Sequence, residues 1–257
     1  MNIEHDFENP IGRIVLNHPD KLNALSKELL VRLTELLQTV HNFKHLRVLI
    51  LTGAGDKAFC AGTDIGELAD LNEDEAKQAS ERGQRVYDLI ENSPVPVIAA
   101  INGITAGGGF ELALACHLRA ASDTADFSLP ETNSDLIPAY GSTQRLARII
   151  GEGRVNELMI ANKKIRAEEA LKIGLINRVV PSSQLLNKTE SMANEIAKLA
   201  PLAVRALLTA VIRGADLPIE DGLKLEAKLF SELFSTEDMR EGTRAFLEKR
   251  QPNFQGE

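Results

Sequence analysis

Two glutamates occupy distinct, recognisable settings in this chain. Glu111 closes the run Asn102-Gly103-Ile104-Thr105-Ala106-Gly107-Gly108-Gly109-Phe110-Glu111, and Glu131 closes Ala125-Asp126-Phe127-Ser128-Leu129-Pro130-Glu131. The first setting is a glycine triplet opening a predicted helix, which offers backbone N–H groups and the positive end of the helix dipole to an anion. The second is a strand edge stopped by proline. Two carboxylates beside an anion-binding loop suit acid–base chemistry on a substrate that develops an oxyanion.

A second loop of small residues, Lys57-Ala58-Phe59-Cys60-Ala61-Gly62-Thr63-Asp64-Ile65, follows a predicted strand ending at Thr52. The two loops leave the carboxyl ends of successive predicted strands and are expected to meet on one edge of the sheet, where ligands bind in α/β proteins. One N–H from each would make an oxyanion hole. Other chemistries lack their signatures. The triplet has neither the dinucleotide spacing nor a following Gly-Lys-Ser/Thr. No Gly-x-Ser-x-Gly elbow is present, and His5, His18, His41 and His45 have no metal-ligand spacing to Cys, Asp or Glu. No metal and no separate cofactor are expected.

Positioning these loops requires buried strands and amphipathic helices. Gly12 to Leu16, Arg47 to Thr52 and Val97 to Ile101 read as strands, the last two apolar on both faces. Ser26 to His41 carries a leucine stripe with Ser26 as N-cap, and Asn72 to Asn92 is a helix with one solvated face. Beyond Ser182 the pattern turns helical: Gln184 to Leu199, Ala203 to Arg213, Ile219 to Leu233 and Thr236 to Arg250. The expected division is residues 1–195 as an α/β core with the site and 196–257 as a helical region that covers the site and serves oligomerisation. No sequence repeat stands out.

The bulk numbers agree with a globular enzyme. The 257 residues are 44% hydrophobic and 26% charged, with net charge −8, which argues against nucleic acid as the main partner. Cys60 and Cys116 sit in apolar runs and read as buried thiols. The N-terminal residues have no targeting pattern and no apolar stretch spans a bilayer, so a cytoplasmic protein without membrane contact is expected.

The chain resembles the crotonase (enoyl-CoA hydratase/isomerase) family, most of all its hydratases. The likeness runs through Asn17-His18-Pro19, Leu22-Asn23-Ala24-Leu25, Phe59 to Ile65, Asn102 to Glu111, Phe127 to Glu131, Pro138 to Arg145, Ala167 to Leu175 and Phe246 to Arg250. It implies a spiral of β-β-α turns with an all-helical C-terminal region, assembled as a trimer or hexamer. It implies an enoyl-CoA hydratase, with an acyl-CoA thioester as substrate and coenzyme A as part of that substrate. Thr63 and Gly108 fall at the oxyanion donors, Glu111 and Glu131 at the catalytic glutamates. Ala61 and Ile65 fall along the adenine end of coenzyme A, and Lys249 where a basic residue approaches a phosphate, on a neighbouring subunit. The alternatives are an isomerase using Glu131 as base and, further off, a non-catalytic RNA-binding relative. The chain departs from the pattern at His117, where aspartate is usual and a structural histidine is expected. It departs again at Ala139 and Ser142, which with Tyr140 are expected to narrow the space behind Glu131.

Overall fold

The two runs that are apolar on both faces become the central strands of a sheet, and everything else is arranged around them. The protein is described by a computed structural model covering residues 2–257. It opens with a hairpin of β1 (Asn2–Asp6) and β2 (Ile11–Asn17), followed by α1 (Lys27–Thr39). The Ser26 side chain accepts the Leu29 N–H at 3.2 Å, the expected N-cap, and the buried stripe Leu29, Leu30, Leu33, Leu36 and Leu37 faces the core. Such a cap contributes about 1 kcal/mol.

Three turns of one pattern follow: β3 (Val48–Gly53), β4 (Ala58–Cys60) and α2 (Glu73–Glu91); β5 (Val97–Ile101), β6 (Ile104–Ala106) and α3 (Gly108–Ala115); β7 (Leu118–Ser122), β8 (Asp126–Ser128) and α4 (Ser142–Ile150). The later elements are α5 (Glu152–Ile160), β9 (Ile165–Arg166), α6 (Ala167–Lys172) and β10 (Arg178–Val180). The first strand of each turn joins a six-stranded sheet ordered β1-β2-β3-β5-β7-β10, and the second a four-stranded sheet ordered β4-β6-β8-β9. The fold is thus the expected β-β-α spiral. A simple strand–helix alternation understates it, because three-residue strands are too short to display a period of two.

The corner that carries the chain from β3 to β4 is fastened by two asparagines. Buried Asn23 donates to the carbonyls of Ala54 and Ala58 at 3.0 and 2.8 Å, and Asn102 donates to those of Gly55 and Ala58 at 2.8 and 3.1 Å. These bonds give the carbonyls of a sharp turn partners from side chains, and so fix the course of the chain from one sheet to the other.

The larger sheet is covered on both sides, which explains why β3 and β5 lack alternation. Val48, Ile50, Ile98, Ala100 and Ala120 point to α7 (Leu185–Ala197), which lays Leu185, Met192 and Ala193 on them. Leu49, Leu51, Ala99 and Ile101 point into the main core with the leucines of α1. Beyond α7 the helices change character. No residue of α8 (Pro201–Gly214) or α9 (Ile219–Leu233) is buried, and α10 (Glu237–Glu248) buries only Asp238 and Ala245. No helix among the described residues is long and apolar enough to cross a membrane.

Candidate active site

The first candidate donor is set by the strand-like contact that Leu25 makes with the loop after β4. The Leu25 N–H donates to the Gly62 carbonyl at 2.7 Å and its carbonyl accepts the Asp64 N–H at 2.9 Å. In such a parallel bridge the residue between, Thr63, has its N–H turned to the opposite side. Gly62, at φ +110°, makes the turn, and its carbon lies so close to the next loop that an added Cβ would stand 3.1 Å from the Ala106 carbonyl oxygen and 3.6 Å from the Gly108 nitrogen. The loops therefore meet as the sequence suggested. They meet through β4 and β6, paired in the smaller sheet, rather than directly at the ends of β3 and β5.

The second candidate donor is the N–H of Gly108, the first residue of α3. It belongs to the four N–H groups that a helix start leaves without intrahelical partners. Gly107 precedes it at φ +47°, ψ −128°, a backbone state open to glycine, and a Cβ there would stand 2.8 Å from Glu131 Oε1. One turn into α3, Glu111 is buried at 2% exposure. Its Oε1 accepts the N–H groups of Tyr140 and Ser142, both at 2.9 Å. Burial pushes the Glu111 carboxyl above the usual range, and these N–H donors pull part of the way back.

Glu131 opens a short 3-10 turn capped by Pro130. Burial raises its carboxyl to about 7, its own backbone N–H opposes that rise, and the nearby Glu111 charge adds to it. Its Oε2 is buried and has no hydrogen-bond partner, so it is available to a bound molecule. The two acids therefore differ. Glu111 is gripped by main-chain donors that favour its anion, whereas Glu131 keeps an ungripped oxygen and holds its proton to near neutrality. Two amide N–H groups and two carboxyls in unequal surroundings, around a bare glycine floor, can polarise a carbonyl and shuttle a proton beside it.

The structure thus gathers Thr63, Gly108, Glu111 and Glu131. Ala61 and Ile65 flank Thr63, with Ala61 half-buried and tied to the Leu22 carbonyl at 3.0 Å and Ile65 64% exposed at the start of a 3-10 turn. Lys249 stands apart, an exposed left-handed cap at the end of α10. The segment 139–142 lies elsewhere than expected. Tyr140 and Ser142 hold Glu111 by their N–H groups, and the Tyr140 ring packs by Gly108, so the narrowing falls on the Glu111 side of the site and not behind Glu131. These backbone roles leave no trace in residue type; Gly141 at φ +115° is the one local signal of the tight turn that aims them. Lys21, not singled out from the sequence, sits by the first loop and pairs with Asp64 at 3.1 Å. His117 accepts the Val97 N–H on Nδ1 at 2.9 Å and lies 3.1 Å by Nε2 from the Glu91 carbonyl. It joins β5 to the end of α2, the structural role expected of it, and burial lowers its pKa.

A sequence model described as enoyl-CoA hydratase/isomerase matches residues 6–257. The short-chain-enoyl-CoA hydratase of Clostridium acetobutylicum is 39% identical over 97% of this chain and 95% of its own length. The crotonyl-CoA hydratase of Syntrophomonas wolfei is 39% identical over 98% and 97%. Among solved structures, an enoyl-CoA hydratase from Bacillus anthracis superposes with a TM-score of 0.96 at 41% identity, covering 100% of both chains.

Proposed function

The chain belongs to the enoyl-CoA hydratase/isomerase family, and from that premise we propose how its site works. The activity is that of an enoyl-CoA hydratase: water adds reversibly to a 2-enoyl-CoA thioester to give a 3-hydroxyacyl-CoA. The thioester oxygen lies between the N–H groups of Thr63 and Gly108. As water attacks Cβ, negative charge moves through the conjugated system onto that oxygen. Each preplaced donor lowers the barrier by about 3–4 kcal/mol. Glu111 takes a proton from the water, and Glu131 gives its proton to Cα. The pair ends with the same number of protons, moved from one acid to the other, and in dehydration the roles swap.

The observation that supports this reading best is the unequal pair. Glu111 is buried and gripped through Oε1, and Glu131 beside it has an unpartnered Oε2 and a carboxyl raised to about 7. Isomerisation needs one base, so a second fixed acid favours water as the reactant. We place the coenzyme A moiety along Ala61 and Ile65, with Lys249 approaching a phosphate from a neighbouring subunit. The direct test follows the conjugated thioester absorbance of 2-butenoyl-CoA. The band is expected to disappear as water adds, and its persistence with every chain length from four to eight carbons would overturn the hydratase reading.

The pH profile carries a finer expectation. Neither water nor the thioester titrates near neutrality, so the equilibrium constant is independent of pH. The kcat/KM values of hydration and dehydration must then share one profile, that of the singly protonated pair. Both are expected to fall together as pH rises through about 7, where Glu131 loses its proton. A rate that stays flat to about pH 9 would remove Glu131 as the proton donor.

Self-association belongs to the same proposal. Leu207 and Val211 of α8 and Leu223 and Phe230 of α9 are each more than half exposed, and Phe246 and Leu247 of α10 are 82% and 80% exposed. An apolar surface of this extent marks an interface. We assign it to further copies of the chain, in a trimer or hexamer. Light scattering at micromolar concentration is expected to give at least three times the 28.1 kDa chain mass, and a monomer would contradict it.

A further inference from the structure

Between Gly108 and α2 stands a large side chain that the proton chemistry above does not use. Tyr140 is 4% exposed. Its ring edge packs on Tyr87 with centroids 5.5 Å apart at 86°, and its Cε2 lies 3.2 Å from where a Cβ on Gly108 would be. The phenol makes a polar contact with the Thr63 side chain. Its N–H is committed to Glu111 and its carbonyl accepts Arg145 Nη1 at 3.0 Å.

Helix α2 is shaped to seat this ring. Gly83 lies in the helix interior, where glycine costs about 1 kcal/mol relative to alanine. A Cβ at 83 would stand 2.2 and 2.4 Å from Cδ1 and Cε1 of Tyr140. The helix carries an unfavourable residue at the one place where the ring needs room. Tyr87, one turn further on, backs the ring and donates its hydroxyl to the Gly108 carbonyl at 2.6 Å. The ring is therefore fixed from α2, α3 and its own backbone, and it does not swing aside for a ligand without breaking these contacts.

The direction of the substrate follows from the site. With the thioester oxygen between Thr63 and Gly108, and Cβ within reach of a water on Glu111, the acyl chain beyond Cβ runs toward the residues that hold Glu111. Those are Tyr140 and Ser142, and Tyr140 is the bulky one. We propose that the Tyr140 ring, seated on Gly83, is the wall that ends the acyl pocket and restricts this chain to short acyl groups. The proposal rests on the hydratase reading and names the residue that sets its substrate length.

The test compares kcat/KM for 2-butenoyl-, 2-hexenoyl- and 2-octenoyl-CoA in wild type, Tyr140→Ala and Tyr140→Phe. A pocket discriminates about 10-fold or more for one methylene that does not fit, so with at least two of the four extra methylenes rejected, wild type is expected to favour four carbons over eight by about 100-fold or more. Tyr140→Ala is expected to shrink that ratio at least 10-fold, and Tyr140→Phe, which keeps the ring, to leave it within about 3-fold. An unchanged ratio in Tyr140→Ala overturns the proposal, as does an equal shift in Tyr140→Phe. Each ratio is internal to one variant, so a general loss of activity cancels. Should Tyr140→Ala fail to fold, calorimetry on wild type decides: octanoyl-CoA binding as tightly as butyryl-CoA overturns the wall. Failure of the hydratase reading would show separately, as no consumption of 2-butenoyl-CoA by wild type.

Discussion

Glu131→Gln is expected to lower kcat on 2-butenoyl-CoA by about 10³-fold, within the range that a positioned acid or base contributes. The carboxamide keeps the shape of the side chain and removes the proton that we propose is delivered to Cα. The same substitution should leave the protein more stable at alkaline pH, which separates lost chemistry from lost folding. Glu131 has a folded pKa of about 7 against an ordinary value of 4.5. Below 4.5 it is protonated folded and unfolded alike, and it costs nothing. Between those values the unfolded chain releases the proton while the folded chain retains it, so stability drains away as pH rises through the window. Above about 7 the loss is complete. Glutamine does not titrate. Discounted for the partial exposure of the carboxyl, the variant's advantage at pH 8 is about 1–2 kcal/mol, a few degrees in Tm, and it vanishes near pH 4.5. Thermal scans at the two pH values beside the kinetic assay check both halves. Retained turnover would remove Glu131 from the mechanism, and equal stability at both pH values would contradict its buried, raised carboxyl.

Gly109→Ala is expected to damage both fold and activity, although residue 109 carries no functional group. A Cβ there would stand 2.1 Å from the Cys60 carbonyl oxygen and 2.7 Å from its carbonyl carbon. Both belong to the main chain of β4, so no rotamer change relieves the overlap. Either α3 or β4 must move, and these elements position the two N–H groups proposed as donors. Overpacking in a filled interior costs about 3 kcal/mol at its upper range, or roughly 6–12 °C in Tm for a chain of this size. The displaced N–H groups should take a further 10-fold or more from kcat. Gly153→Ala is the control, since an added Cβ there meets nothing within 4 Å. Wild-type melting and turnover in Gly109→Ala would show that the two segments tolerate separation.

The helices and the central strands were legible because their apolar spacing is local. α9 runs Ile219–Leu233 as read from its stripe, and α1 starts at its serine cap. The candidate residues were legible through the glycines around them and through the family likeness of their motifs. Two features were not. The strands of the smaller sheet escaped the periodicity, and only the family likeness implied them, because its paired segments are three residues or fewer and its pairing is long-range. The grip on Glu111 escaped because it comes from the N–H groups of Tyr140 and Ser142, which every residue but proline possesses. Where a main-chain turn aims such groups, side-chain identity says little about them.

The smaller sheet sets a dimension that the side chains do not control. Thr63 lies just past β4 and Gly108 just past β6, and these strands are hydrogen-bonded neighbours running in parallel. The gap between the two amides is therefore inherited from the roughly 4.8 Å repeat between adjacent strands, a length common to every β-sheet. On the proposed mechanism, substitutions in the walls around that gap can change which thioester fits while the distance between the two amides stays constant. A scaffold of this kind separates the evolution of selectivity from that of the chemical step.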